Sequence, residues 1–396
     1  RGLVRDVLRR RVPERSSCMK SDASALVSVI IPVCNVEKYL AQCLESICSQ
    51  THRELEVICL NDGSKDGSLA ILREFEARDS RVIVVDKPNE GYGATCNRGL
   101  EMARGEWISV IEPDDWIDPA MYECMLGRAA LVDVPVDIVK CPWIDVHDWD
   151  DPDTQYEQQC VLAHRLPNTT RPVTLADLPI MVEQHPSIWS AIYRRDFLNE
   201  CGIRFVPYPG AGWADNPFLI EAFCQAKAIM TFDETFYHYR YDLPGATYNH
   251  KKDAAVALPF DRWCDMTDIL ERLHVTDRGI LEAHYMRGFN YIHGGIVDDG
   301  WENPIVQDGT RRVFSRMDTD IVLGHPKLSP KRKRFYLKQM GITGRRVPVW
   351  PRVKYFASEA HFFVKSNGVR GLLRKVSGFA KGKVVAARRA KENAKG

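Results

Sequence analysis

Apolar and polar positions follow two different rhythms along the first third of the chain. Leu26–Ile31 is an apolar, β-branched run broken only by Ser28, the pattern of a strand covered on both faces. Tyr39, Leu40, Cys43, Leu44, Ile47 and Cys48 then recur at intervals of three and four, which predicts an amphipathic helix. Leu55–Leu60 reads as a second strand, Leu69, Leu72 and Phe75 line a second helix, and Val82–Val85 is a third strand. Asn97 to Ala103 reads as a helix closed by Gly105, and Trp107–Ile111 as a fourth strand. Strands joined by helical crossovers imply an α/β fold, a mainly parallel sheet flanked by helices.

Past Asp115 the rhythm breaks. Residues 143–175 are rich in Asp, Pro, Gln and Thr, and predict loops or short strands over a binding face. Residues 187–205 and 216–240 regain helix and strand character. From about 254 the pattern is helical, with Leu270, Leu273, Ile280–Ile292 and Val313–Met317 carrying the apolar spacing. No run of eighteen apolar residues predicts a membrane-spanning helix. At 396 residues, two or three structural units are expected.

The net charge of +1 hides an asymmetry. Residues 346–396 hold 13 Lys and Arg against Glu359 and Glu392, and residues 1–25 hold 7 against 3, so the body between them is acidic. A dedicated nucleic-acid binder would carry its basic residues along a folded groove, so that class is disfavoured. A basic tail interleaved with Trp350, Tyr355, Phe356, Phe362 and Phe363 suits peripheral contact with an anionic membrane; a solvated extension is the plain alternative. The twelve scattered cysteines form no Cys-x-x-Cys pair and read as reduced thiols, hence a cytoplasmic chain. Residues 1–20 lack the apolar stretch of a secretory signal; the chain begins with Arg1, and Met19 is a candidate start.

In open parallel α/β sheets, ligands bind at the carboxyl ends of strands, and three polar clusters fall there. Asn61–Ser68 follows the second strand; Asp62 can accept from a base or ribose, although a turn plus helix cap explains the same residues. Glu90–Gly99 follows the third strand, and its amides at a helix start can face a phosphate, with a simple tight turn as the alternative. Glu112-Pro113-Asp114-Asp115-Trp116 ends the fourth strand. Acidic side chains so close together repel unless a cation sits among them, and Mg²⁺ or Mn²⁺ prefers such oxygen ligands; an acidic loop whose Asp115 caps a helix beginning near Pro119 is the alternative. Downstream, Asp215 in Trp213-Ala214-Asp215-Asn216 is either a general base or a helix cap, and His238 either a metal ligand or a structural histidine.

Together, Val27–Leu40, Gln50-Thr51, Asn61–Ser64, Gly91–Gly99, Gly105–Trp107 and Glu112–Trp116 resemble glycosyltransferase family 2, inverting enzymes of the GT-A fold. Ile188–Arg194 and Trp213–Asp215 extend the likeness more weakly. The resemblance implies a hexosyltransferase-type enzyme moving a sugar from a nucleotide-diphosphate donor, UDP-sugar favoured, to a hydroxyl of a glycan or lipid-linked glycan in bacterial cell-surface polysaccharide synthesis. It implies a catalytic domain over 26–245, split into a nucleotide-binding half (26–125) and an acceptor half (126–245). A basic extension (1–25) precedes it, and a helical region (246–345) and basic amphipathic tail (346–396) follow.

By the same resemblance, Pro32, Asn35, Glu37, Asp62, Gly93, Asn97, Arg98, Glu112 and Asp114 contact the nucleotide-sugar. Asp115 and Asp114 hold the divalent cation, with His238 as a further candidate ligand, and Asp215 is the base. The expected place is the cytoplasm, at the inner face of the plasma membrane. Three positions depart from the family pattern: Glu112 for Asp, Cys96 for Arg, and Ala214 for Glu before Asp215. A sugar nucleotidyltransferase and a non-catalytic glycan-binding protein that keeps the fold are the rival readings.

Overall fold

A computed structural model describes residues 24–151, 153–241, 243 and 253–360. Most of the basic N-terminal extension, and the tail beyond residue 360, lie outside the described residues. The chain forms two compact units, Arg1–Val313 and Phe314–Gly396.

The first unit opens with β1 (Val27–Val33), α1 (Glu37–Cys48), β2 (Leu55–Asp62), α2 (Ser68–Arg78), β3 (Val82–Lys87), α3 (Tyr92–Met102) and β4 (Trp107–Val110). It continues through β5 (Trp116–Ile117), α4 (Met121–Ala129), β6 (Ile138–Lys140), β7 (Trp143–His147), β8 (Tyr156–Gln159), β9 (Ala191–Arg194) and α5 (Arg195–Glu200). Then come α6 (Asp215–Gln225), β10 (Ile229–Thr231), β11 (Tyr237–Arg240), α7 (Asp253–Arg272), α8 (Arg278–Asp298) and α9 (Pro304–Ser315), the last reaching into the second unit. That unit holds α10 (Thr319–Gly324), α11 (Pro330–Gln339) and a helical stretch over 350–360. Among the described residues no helix is long and apolar enough to cross a membrane.

Seven strands form the main sheet in the order β10-β6-β9-β4-β1-β2-β3. All neighbours pair in parallel except β9, which runs antiparallel to β4 and β6. Every residue of β1 and β2 is buried, which is why their sequences run apolar without alternation. Ser28, the one polar break in β1, donates to Glu56 on β2, and that carboxylate also accepts from the backbone of Arg104 (2.6 Å). A buried hydroxyl is tolerated because its hydrogen bond is made.

Two local expectations change. Helix α3 begins at Tyr92, five residues before the expected Asn97. Gly105 does not close that helix, which ends at Met102 with Ala103 as its cap. Its glycine is needed because a Cβ there would stand 2.6 Å from Leu26 O, where the chain crosses into β4.

The second sheet, β5-β11-β7-β8, comes largely from residues expected to be loops or short strands. β11 pairs antiparallel with β5 and parallel with β7, and β7 pairs antiparallel with β8. The outer strand β8 is exposed along its whole length, so no apolar pattern marks it.

Candidate active site

At the carboxyl end of β4, Glu112 and Asp114 face a cavity of about 640 Å³. The same cavity is bordered by Trp143 and Asp145 of β7, by Asp215 at the first turn of α6, and by Tyr239 and Arg240 of β11. Arg287 and Tyr291 of α8 complete its floor. Carboxylates as far apart in the chain as Glu112 and Asp215 thus share one space.

Their surroundings keep them proton-hungry. Burial, then the Asp114 carboxylate, pushes the Glu112 carboxyl up to about 8, and Asp215 adds to the rise. Tyr92 partly relieves it by donating from its hydroxyl to Glu112 Oε1 (2.6 Å). Burial also raises Asp114 and Asp215, in part offset by Arg240 and Arg287 respectively. Carboxylates gathered in a poorly hydrated space favour neutral forms until a cation or a proton-donating substrate arrives.

Asp215 is held by a relay from α8. Arg287 Nη2 (2.6 Å) and Tyr291 OH (2.8 Å) donate to Asn216 Oδ1, and Asn216 Nδ2 donates to Asp215 Oδ1 (3.0 Å). Ala214, not Asp215, holds the cap position of α6, and Asp215 is the first residue of that helix. Just before it, Trp213 adopts a left-handed backbone (φ 52°), a conformation bulky residues rarely take, and its side chain borders the cavity.

Arg240 is the cation of the cavity wall nearest the β4 carboxylates. Its guanidinium donates to Asp114 O and Gln42 and lies over Trp116 (4.6 Å), with Tyr39 (5.3 Å) and Trp149 (5.4 Å) beside it. Its Nε finds no hydrogen-bond partner among the described residues. Sequence reasoning reached Tyr237–Arg240 but singled out His238. Period two along β11 sets Tyr239 apart from its neighbours, whereas nothing in the sequence alone separates Arg240 from His238.

Several expected site residues sit elsewhere. Asp115 is fully buried, accepting from Tyr237 OH (2.7 Å) and Arg240 N (2.8 Å), and does not border the cavity. His238 stacks on Trp116 (4.9 Å, 6° between planes) and bonds Asp118 through Nε2 (3.1 Å), also off the cavity. Asp62 is buried against Lys87 and accepts from Glu90 N (2.8 Å) and Gly91 N (3.0 Å), so it anchors the turn into α3. Asn97 clamps Phe205 by two 2.8 Å bonds, and Gly93 lies too close to Val206 O to carry a Cβ.

Arg98 is exposed on α3. Asn35 and Glu37, exposed beside buried Pro32, tie the turn after β1 to the turn after β2: Asn35 Oδ1 accepts from Lys65 N (2.8 Å) and Glu37 Oε2 from Gly67 N (2.5 Å). Among the described residues no group of three or more His, Cys, Asp or Glu side chains is arranged to hold a metal by itself. Glu112 and Asp114 nevertheless fit a hard cation in part, since Mg²⁺-type sites commonly use one or two carboxylates and complete their shell with substrate phosphates and water.

The family profile described as Glycosyl transferase family 2 matches residues 28–201. The uncharacterized glycosyltransferase EpsJ of Bacillus subtilis is 29% identical over 54% of this chain and 61% of its own length. The chondroitin synthase of Escherichia coli is 39% identical over 26% of this chain and 15% of its own. The chain therefore spans less than two thirds of either relative. A crystal structure of Staphylococcus aureus TarS 1-349 in complex with UDP aligns with a TM-score of 0.60 at 17% identity, covering 80% of this chain and 87% of that one. That likeness is one of fold.

Proposed function

From the match of residues 28–201 to the glycosyltransferase family 2 profile, we propose that the chain is a member of that family and transfers a sugar, with inversion, from a nucleoside-diphosphate donor to a hydroxyl of a glycan or lipid-linked glycan in polysaccharide synthesis. One observation carries this reading: Glu112 and Asp114 from the end of β4, and Asp215 from the distant start of α6, line one cavity beside Arg240. The likeness to a chondroitin synthase supports a polysaccharide product, and the fold shared with TarS in complex with UDP supports a uridine nucleotide donor.

In this account the nucleoside lies over the turns after β1 and β2, where Asn35 and Glu37 are exposed, and the diphosphate reaches toward Asp114 and Arg240. Asp114, with Glu112 beside it, would hold the divalent cation; the bound ion would neutralise charge growing on the departing diphosphate. Asp115 and His238 give up that role because both are committed to other partners. Asp215 takes the proton of the acceptor hydroxyl, whose oxygen forms a bond to the anomeric carbon from the face opposite the leaving group. The anomeric bond to the diphosphate breaks, and the nucleoside diphosphate departs with that electron pair. Burial of Asp215 raises its proton affinity and so improves it as a base.

Replacing Asp215 by Asn tests the assignment. Turnover of a UDP-sugar should fall about 10²- to 10⁴-fold while uridine diphosphate binding is kept. Unchanged turnover would return Asp215 to a structural role.

The second unit extends the proposal to a surface. Trp350 (65% exposed), Val353 and Phe356 stand on one side of the 350–360 helical stretch, with exposed Val349 just before it and Arg345, Arg346 and Lys354 as flanks. At 100° per residue Trp350, Val353 and Phe356 fall within about 120° of the helix circumference. An exposed aromatic stripe with basic flanks suits an anionic bilayer, the place where a lipid-linked acceptor would be met at the cytoplasmic face.

A further inference from the structure

The second sheet carries an aromatic face that glycosyl-transfer chemistry at Asp215 does not account for. Strand pairing sets Asp145 opposite Tyr239 and Gln158, and His147 opposite Tyr156, so these side chains share one face by the period-two rule. From the cavity outward the rings form a ladder. Tyr237 stacks on Trp189 (3.9 Å, 20°) and Trp189 on Tyr239 (5.3 Å, 16°). Tyr239 meets Tyr241 edge-on (6.2 Å), Tyr241 meets His147 (4.7 Å), and His147 stacks on Tyr156 (4.7 Å, 9°). The outer rungs are open to solvent: Tyr241 is 55% exposed and Tyr156 51%.

Rings of this kind offer flat apolar faces to the C–H side of a pyranose. Asp145, whose carboxylate is oriented by Trp143 Nε1 (2.7 Å), and Gln158 stand among them on the cavity wall as hydrogen-bonding edges for sugar hydroxyls. A site meant for an aliphatic ligand would line its walls with Leu, Ile and Val instead of interleaving amide and carboxylate groups. From Tyr239 on the cavity wall to the exposed Tyr156, successive ring centroids stand 6.2, 4.7 and 4.7 Å apart, which gives this face room for more than one sugar ring.

Charge narrows the ligand further. Between residues 141 and 164 there is no Lys or Arg, while Asp145, Asp148, Asp150, Asp151, Asp153 and Glu157 all fall there. Four of these aspartates mark the hairpin between β7 and β8, directly beside His147 and Tyr156, and all four are exposed. Of the cavity's own cations, Arg287 is buried and bonded to Val182 O and Asn216, and Arg240 lies against Asp114 and Trp116. Among the described residues, a glycan bearing carboxylates or phosphates would meet repulsion along the β7–β8 side of the cavity.

We propose that the Tyr239–Tyr241–His147–Tyr156 face is an acceptor subsite that takes uncharged sugar rings and rejects rings that themselves bear uronate carboxylates or phosphates. This rests on the glycosyl-transfer reading of the adjoining cavity, and it names the acceptor class for that site.

Ligand-observed NMR and intrinsic tryptophan fluorescence on the full chain test it. The probes are the uncharged tetrasaccharides of chitin, cellulose, starch and yeast mannan, with a hyaluronan tetrasaccharide as the charged counterpart. At least one uncharged probe should bind saturably and about tenfold or more tighter than hyaluronan at low salt. Tyr156→Ala should weaken that binding by about tenfold while Tyr156→Phe keeps it, since the ring face and not the hydroxyl makes the contact. The proposal is overturned if no uncharged probe binds, if hyaluronan binds as tightly, or if Tyr156→Ala binds like the parent. Uridine diphosphate with Mn²⁺ is titrated in parallel. Nucleotide binding without saccharide binding sinks the subsite alone, and loss of both sinks the transfer reading beneath it.

Discussion

Asp114 and Asp115 are adjacent carboxylates whose neighbours send them to different tasks. Asp114 opens on the cavity, while Asp115 receives the Tyr237 hydroxyl and the Arg240 amide and so ties the end of β4 to β11. Asp115→Ala would leave both donors buried without an acceptor, so unfolding free energy should drop by about 1–3 kcal/mol for each stranded group. Urea denaturation measures this, and an unchanged midpoint would deny Asp115 its structural part. The sequence showed that acids crowd the end of β4 but not which of them faces the cavity. That depends on where Tyr237 arrives, 122 residues later. Asn216 and Arg287 escaped notice for the same reason. An Asn after an Asp and one Arg inside a helix gain meaning only when α8 packs behind α6 and the three side chains meet.

At the scale of elements, the strands of the first half were legible because two-sided burial leaves a plain chemical trace, continuous apolar runs. The second sheet left no such trace: one strand is wholly exposed, and another alternates aromatic and polar residues that also suit a loop. Where β6 meets the turn before β9, Lys140 is completely buried and donates to Ser187 and Ser190. Ser187 itself takes a left-handed backbone (φ 39°), a conformation the surrounding bonds must hold. Burial lowers the Lys140 ammonium to about 7, against about 10.4 in an unfolded chain. Between those values the unfolded state binds the extra proton, so this group makes stability rise as pH rises from about 7 toward 10. Unfolding free energies at pH 7 and pH 9 should therefore differ more in the parent than in Lys140→Met. Equal slopes would mean that the amine is not held as described.

Across the whole molecule, charge divides where the compact units divide. Residues 314–396 hold 21 Lys and Arg against 4 Asp and Glu, leaving 33 against 49 in residues 1–313. The expected basic tail is thus the end of a longer basic unit, although its last part lies beyond the described residues. Flotation with vesicles should carry the chain when they contain phosphatidylglycerol and leave it behind with phosphatidylcholine alone. Trp350→Ser with Phe356→Ser should reduce the floating fraction; equal flotation on both lipids would deny the charge argument. The acidic first unit, by contrast, brings Glu112, Asp114 and Asp215 to one cavity, and the central claim is that Asp114 presents a cation there to a nucleoside diphosphate. Calorimetric titration of uridine diphosphate into the parent and into Asp114→Asn, each with and without Mn²⁺, tests that claim most directly. The account predicts binding that needs Mn²⁺ in the parent and is lost in Asp114→Asn; equally tight binding by the variant without the metal would contradict it.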